Sequence, residues 1–138
     1  MPSKKILLPV ILAILIIGGV YFSFFYGKIP VSNPVPKNQL NNFSSDYFPG
    51  LSFNYPTYYS VQDYSKYFKV LTVSKDSERR IEIFRSADFG ARDEGNTTKE
   101  QFTIKSKNET YNVWLFYPDN DAQAKSELHQ IYNSIDTK

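Results

Sequence analysis

The sequence predicts an α+β protein: an N-terminal transmembrane helix, then an antiparallel β-sheet of five or six strands with a C-terminal helix packed on it. Three observations carry this. Residues 6–26 hold no charge. From Leu51 to Tyr117, short runs alternate apolar with polar residues, the period of strands with one buried face. Beyond Pro118 the apolar period becomes that of a helix. The 138 residues thus divide into a cytoplasmic stub and anchor (1–27), a Pro/Asn-rich linker (28–45) and an extracytoplasmic domain (46–138).

Ile6 to Tyr26 reads ILLPVILAILIIGGVYFSFFY. As a helix this run is about 31 Å long, close to the hydrocarbon thickness of a bilayer. Tyr21, Tyr26 and the phenylalanines between them suit the membrane interface. Pro9 falls in the first turn, where its missing N–H has no intrahelical acceptor. Lys4 and Lys5 precede the span and only Lys28 follows closely, which places the N-terminus in the cytoplasm and the rest outside. The expected location is the cell membrane, in a single pass through residues 6–26. A cleaved signal peptide is the rival reading. A cut after Gly27 puts Phe25 at −3, where a small residue is needed, so the uncleaved anchor is preferred.

Lys28 to Ser45 reads KIPVSNPVPKNQLNNFSS. Pro30, Pro34 and Pro36 favour extended backbone, and the segment reads as a semi-rigid spacer.

Within the domain, Leu51, Phe53 and Tyr55 alternate with Ser52 and Asn54 until Pro56 ends the run. Tyr59 to Gln62 gives a second short strand. Tyr67–Ser74 and Arg79–Arg85 form a hairpin about the turn Lys75–Glu78, with Ile81 and Ile83 inward. Ser86 to Glu100 is a long polar connection. Gln101–Lys105 and Thr110–Tyr117 form a second hairpin. In the last strand Tyr111, Val113, Leu115 and Tyr117 share one face, with Trp114 and Phe116 on the other. A strand apolar on both faces is expected inside a sheet that is covered on both sides. Ala124, Leu128, Ile131 and Ile135 then form a helical stripe, with N-cap candidates among Asp119 to Asp121.

Charge and composition exclude several chemistries. Lys4, Lys5 and Lys28 account for three of the 16 basic residues, so 13 remain beyond them against all 14 acidic ones. A near-neutral domain has no broad basic footprint for nucleic acid. The chain has no cysteine, which excludes disulfides and thiolate chemistry, and its one histidine excludes a His-rich metal cluster. His129 lies on the predicted helix with no G-x-S-x-G in the chain, and reads as an exposed or half-buried structural histidine. Asp119, Asp121 and Glu127 lack the glycine and spacing of a calcium loop and read as helix-start residues. The pair Arg79-Arg80 reads as a solvated face. No catalytic, metal or cofactor residue is assigned.

Eighteen of the 23 aromatics lie beyond the span, and core packing accounts for most of them. Tyr58, Tyr59, Tyr64 and Tyr67 are the candidate surface for a partner or a wall glycan, since tyrosine offers a stacking face and a hydroxyl. Arg92, in the polar connection, joins them as a candidate.

The run Phe53-Asn54-Tyr55-Pro56-Thr57-Tyr58-Tyr59 resembles the F-x-[FY]-P-x-x-[WY] opening of PsbP-like domains. The two hairpins and the ending Ile131-Tyr132-Asn133-Ser134-Ile135 resemble that group as well, over roughly residues 46–136. The resemblance implies an antiparallel sheet sandwiched by helices. It also implies binding, or assembly of a membrane complex, in place of a conserved reaction. An envelope protein is the expected partner.

Overall fold

The computed structural model describes residues 28–85, 97–106 and 109–137. The expected membrane span lies outside them. Among the described residues no helix is long and apolar enough to cross a membrane. The chain from Val31 onward forms one compact unit.

The fold is α+β. Among the described residues there are eight strands in two antiparallel sheets, where one sheet of five or six strands was expected. The smaller sheet holds β1 (Leu40–Ser44), β2 (Leu51–Pro56) and β8 (Asp136–Thr137), with β2 in the middle. The larger holds β3 (Ser60–Asp63), β4 (Val70–Ser74), β5 (Arg80–Phe84), β6 (Thr97–Lys105) and β7 (Thr110–Pro118), in the order β3-β4-β5-β7-β6. A single-turn helix, α1 (Ser65–Phe68), joins β3 to β4, and α2 (Ala122–Asn133) follows β7.

Both expected hairpins are present. In the β4–β5 pair, Leu71 opposes Ile83 and Val73 opposes Ile81. The turn between them is closed by Asp76, whose carboxylate accepts from the N–H groups of Glu78 (3.0 Å) and Arg79 (2.9 Å). In the β6–β7 pair, Phe102 opposes Val113 and Ile104 opposes Tyr111. β6 begins at Thr97, so the last residues of the expected polar connection are strand. β7 lies between β5 and β6, where a strand apolar on both faces belongs.

Alternation assigns the two faces of the larger sheet. Leu71, Val73, Ile81, Ile83, Tyr111, Val113, Leu115 and Tyr117 enter one core with Phe48, Leu51, Phe53 and the α2 residues Ala124, Leu128 and Ile131. Burial of each large aliphatic chain stabilises by about 1.5–3 kcal/mol. The opposite face carries a smaller cluster of Phe84, Trp114 and Phe116. Arg80 lies over the Phe116 ring at 4.0 Å and pairs with Glu82 at 2.7 Å. It is therefore buried, unlike the solvated charge the sequence suggested. Lys99 lies 4.2 Å from the Trp114 ring centroid.

The linker expected over 28–45 contains structure. Val35 is buried, and it exchanges two hydrogen bonds with the Gln130 side chain on α2 (2.6 and 2.9 Å). Ser126 donates to the Ser32 carbonyl. Leu40–Ser44 pairs with β2 along its whole length, and Phe43 stacks on Phe53 at 5.1 Å. The prolines shape the approach without preventing this, because Pro36 precedes a 3-10 turn at Lys37–Gln39 that ends where the strand starts.

Candidate functional site

Pro56 closes β2, and the turn that follows is fixed by the Tyr59 N–H on the Pro56 carbonyl at 2.9 Å. The turn brings two successive tyrosines against α2. Tyr58 donates its hydroxyl to Glu127 Oε1 (2.8 Å), Tyr59 donates to Glu127 Oε2 (2.9 Å), and Gln123, one turn earlier on α2, donates to Oε1 (2.9 Å). The two rings sit 5.5 Å apart, with Lys75 Nζ 5.1 Å from the Tyr58 centroid. Glu127 is only 3% exposed. Burial first, and then the adjacent carboxylate, pushes the Tyr58 hydroxyl up to about 12 and the Tyr59 hydroxyl further still. Both hydroxyls therefore keep their protons and act as donors to Glu127.

The expected tyrosine surface is only partly assembled. Tyr58 is 45% exposed and Tyr64 42% exposed, but Tyr59 is 4% exposed and belongs to the core, which removes it from any surface. The reason is its partner: a buried carboxylate on α2 draws the Tyr59 hydroxyl inward. Tyr58 and Tyr64 flank opposite ends of β3, a four-residue strand about 13 Å long. Tyr64 donates to Gln62 Oε1 at 3.0 Å. The Tyr67 side chain and Arg92 lie outside the described residues.

No family model, curated protein or solved structure matches this chain.

A second polar cluster was not anticipated. Glu100 on β6 opposes Leu115 and so faces inward. Tyr117 donates to Glu100 Oε1, and His129 Nε2 lies 2.8 Å from Oε2. Lys125 Nζ is 3.5 Å from Oε1. Burial opposes the charge on Glu100, but the Tyr117 hydroxyl, His129 and Lys125 together hold its carboxyl below the usual range. For Tyr117, burial and then the Glu100 carboxylate act in the opposite sense and raise the hydroxyl. His129 is 4% exposed, deeper than the half-buried site expected for it. The signal available was the alternation of Thr98, Glu100, Phe102 and Ile104, which puts an acid on a core-facing row.

A third grouping gathers exposed rings at the far end of the larger sheet. Tyr47 (52%), Tyr64 (42%) and Phe68 (61%) are large and exposed. Their loops are tied together: Ser45 Oγ donates to Asp63 (3.0 Å), Arg85 N–H to the Lys69 carbonyl (3.2 Å), and Arg85 Nη1 to the Tyr47 carbonyl (3.2 Å). Arg85 also pairs with Glu109. Lys69 takes a left-handed φ of 53°, which turns the chain sharply from α1 into β4. Tyr47 and Phe68 were not singled out in the sequence, since a single exposed ring looks like a buried one until the sheet is placed.

The acidic residues near the start of α2 are cap and brace. Asp121 accepts from the Ala124 N–H at 2.8 Å and from Arg79 Nε at 2.8 Å. The backbone bond and then Arg79 hold its carboxyl below the usual range. Asp119 accepts from the Thr98 hydroxyl. Among the described residues no three His, Asp or Glu side chains are grouped to hold a metal ion.

Proposed function

We propose that this chain is a single-pass membrane protein whose extracytoplasmic α+β domain acts by binding, as an assembly partner in an envelope complex, without a reaction of its own. The observation that carries this reading is the exposed aromatic end: Tyr47, Tyr64 and, at the end of α1, Phe68, on segments braced to one another. Large exposed rings on a braced surface supply contact area at low entropic cost, and tyrosine is enriched at interface hot spots. The uncharged span of residues 6–26 supports the anchored location. Internal pairing of the polar clusters supports a binding role: both oxygens of Glu127 and both of Glu100 accept bonds from the domain's own side chains. The resemblance of Phe53–Tyr59 to the PsbP-like opening belongs to the same proposal.

The test is crosslinking of the full-length chain in its native membrane, followed by purification under denaturing conditions. One reproducible partner, lost when Tyr64 and Phe68 are both replaced by serine, supports the assembly reading. Wall glycan in place of a protein, lost on Tyr58→Ala, would move the account to a glycan-binding module. A chain that washes off the membrane at alkaline pH would overturn the anchored reading.

A further inference from the structure

We infer that the outer edge of β6 pairs with the same edge of a second copy of this chain, antiparallel about a two-fold axis at Gln101. Two five-stranded sheets then become one sheet of ten strands. Among the described residues, β3 and β6 are the edges of the larger sheet, and β1 and β8 those of the smaller one. β1, β3 and β8 are five, four and two residues long, and edges that short offer little to a further strand. β6 runs for nine residues without a proline or a break in its pairing to β7. That is an edge of about 30 Å. Lysine on an edge strand usually guards it, but Lys99 lies over the Trp114 ring, 4.2 Å from its centroid.

The ladder decides which backbone groups face outward. The Ser106 N–H donates to the Glu109 carbonyl at 2.9 Å, so these two residues are a hydrogen-bonded pair. Antiparallel pairs alternate between bonded and non-bonded. Ile104–Tyr111, Phe102–Val113 and Glu100–Leu115 are therefore bonded, and the N–H and C=O of Gln101, Thr103 and Lys105 point away from β7. The β4–β5 hairpin gives the same phase. Lys75 bonds to Arg79 at 3.0 Å, which makes Val73–Ile81 a bonded pair and turns Glu82 to Trp114, leaving Leu115 for Glu100. Gln101, Thr103 and Lys105 are all exposed, and among the described residues no hydrogen bond reaches their outward backbone groups.

Charge selects a second copy as the occupant and fixes its register. With Gln101 opposite Gln101 of the second copy, all nine residues of each strand are paired. Lys99 then faces Thr103, and Lys105 faces Thr97. On the core-facing row Thr98 faces Ile104 and Glu100 faces Phe102. No like charges meet. A shift of two residues one way sets Glu100 against Glu100, and a shift the other way sets Lys99 against Lys105 twice. Like charges directly opposite destabilise a pair of strands. A strand that matches itself in one register has the self-complementarity that a two-fold interface requires. The core-facing row also leaves apolar surface to cover. Phe102 and Ile104 are only half-buried, with Phe102 4.4 Å from the half-buried Tyr132 ring on α2. A further strand on this edge closes over them.

The chain has no cysteine, so one introduced thiol reports one position. Opposite residues of a bonded antiparallel pair have Cα atoms about 5.5 Å apart, within disulfide reach. In the register above Gln101 meets its own copy, whereas Thr103 stands about 14 Å from its own copy. Full-length Gln101→Cys and Thr103→Cys would be oxidised in intact native cells and run on non-reducing gels. The expected result is a disulfide-linked homodimer several times more abundant for Gln101→Cys. Gln101→Pro removes an N–H that β7 does not use, at an edge where proline is tolerated. It should sediment as a monomer in mild detergent, with unchanged far-UV circular dichroism, where the unaltered chain sediments as a dimer. Thr103→Lys meets Lys99 of the second copy at two places and should weaken the dimer about tenfold, which keeps the test decisive if the proline chain does not fold. A monomeric unaltered chain, equal disulfide yields at 101 and 103, or a different protein joined to the Gln101→Cys thiol would overturn the inference.

Discussion

At Glu127 a carboxylate sits inside the domain because three donors meet it, two of them hydroxyls from adjacent residues of one turn. Glu127→Ala leaves the Tyr59 hydroxyl buried and unpaired. The expected loss is about 2–4 kcal/mol, against about 1–2 for Tyr59→Phe and less than about 1 for the exposed Tyr58→Phe. Urea midpoints of the three variants test that order. Glu100 makes a different prediction. Its carboxyl is held below the ordinary value of 4.5 in the folded chain, so its contribution is fully present above that pH and lost as pH falls through the lowered value. Glu100→Gln should flatten the acid limb of a stability-against-pH curve measured from neutrality down to pH 3. Neither partnership was legible in the sequence. Glu127 reads as a helix-start acid and Glu100 as the end of a polar loop, because the donors that satisfy them stand 68 and 17 residues away along the chain.

The strands that alternation reveals are those whose inner residues are aliphatic or aromatic, as in Arg80–Phe84 and Thr110–Pro118. β1, Leu-Asn-Asn-Phe-Ser, and the two-residue β8 carry too little apolar pattern to be seen, and they exist because β2 offers both its edges to them. That is why one sheet was expected and two are present. β7 permits a test of face assignment. Leu115 is fully buried in the main core, so Leu115→Ala should cost about 2–5 kcal/mol. Trp114 is also buried, but its Nε1–H meets no hydrogen-bond acceptor among the described residues. Trp114→Phe removes that orphan donor along with some area, and the two effects oppose, so the change should stay within about 1 kcal/mol of neutral. Thermal unfolding of both variants gives the comparison.

For the molecule as a whole, the boundary of the folded part matters most. Proline content suggests a spacer up to Ser45, yet the compact unit starts at Val31, with Val35 buried on α2. A fragment that starts at Val31 should be more stable than one that starts at Asn41 by about 2–4 kcal/mol. The longer fragment keeps one buried aliphatic chain and the paired bonds to Gln130. The α+β class is readable from the period of the apolar residues, whereas the boundary depends on hydrogen bonds across 95 residues of chain. The central claim is that the domain works by holding a partner through its exposed aromatic end. The most direct measurement places a photocrosslinking amino acid at Tyr47, at Phe68 and, as a control, at Ala122, in the full-length chain within its native membrane. The account predicts the same protein adduct from positions 47 and 68 and none of it from 122. No adduct at 47 and 68, or the same adduct from all three positions, would contradict it.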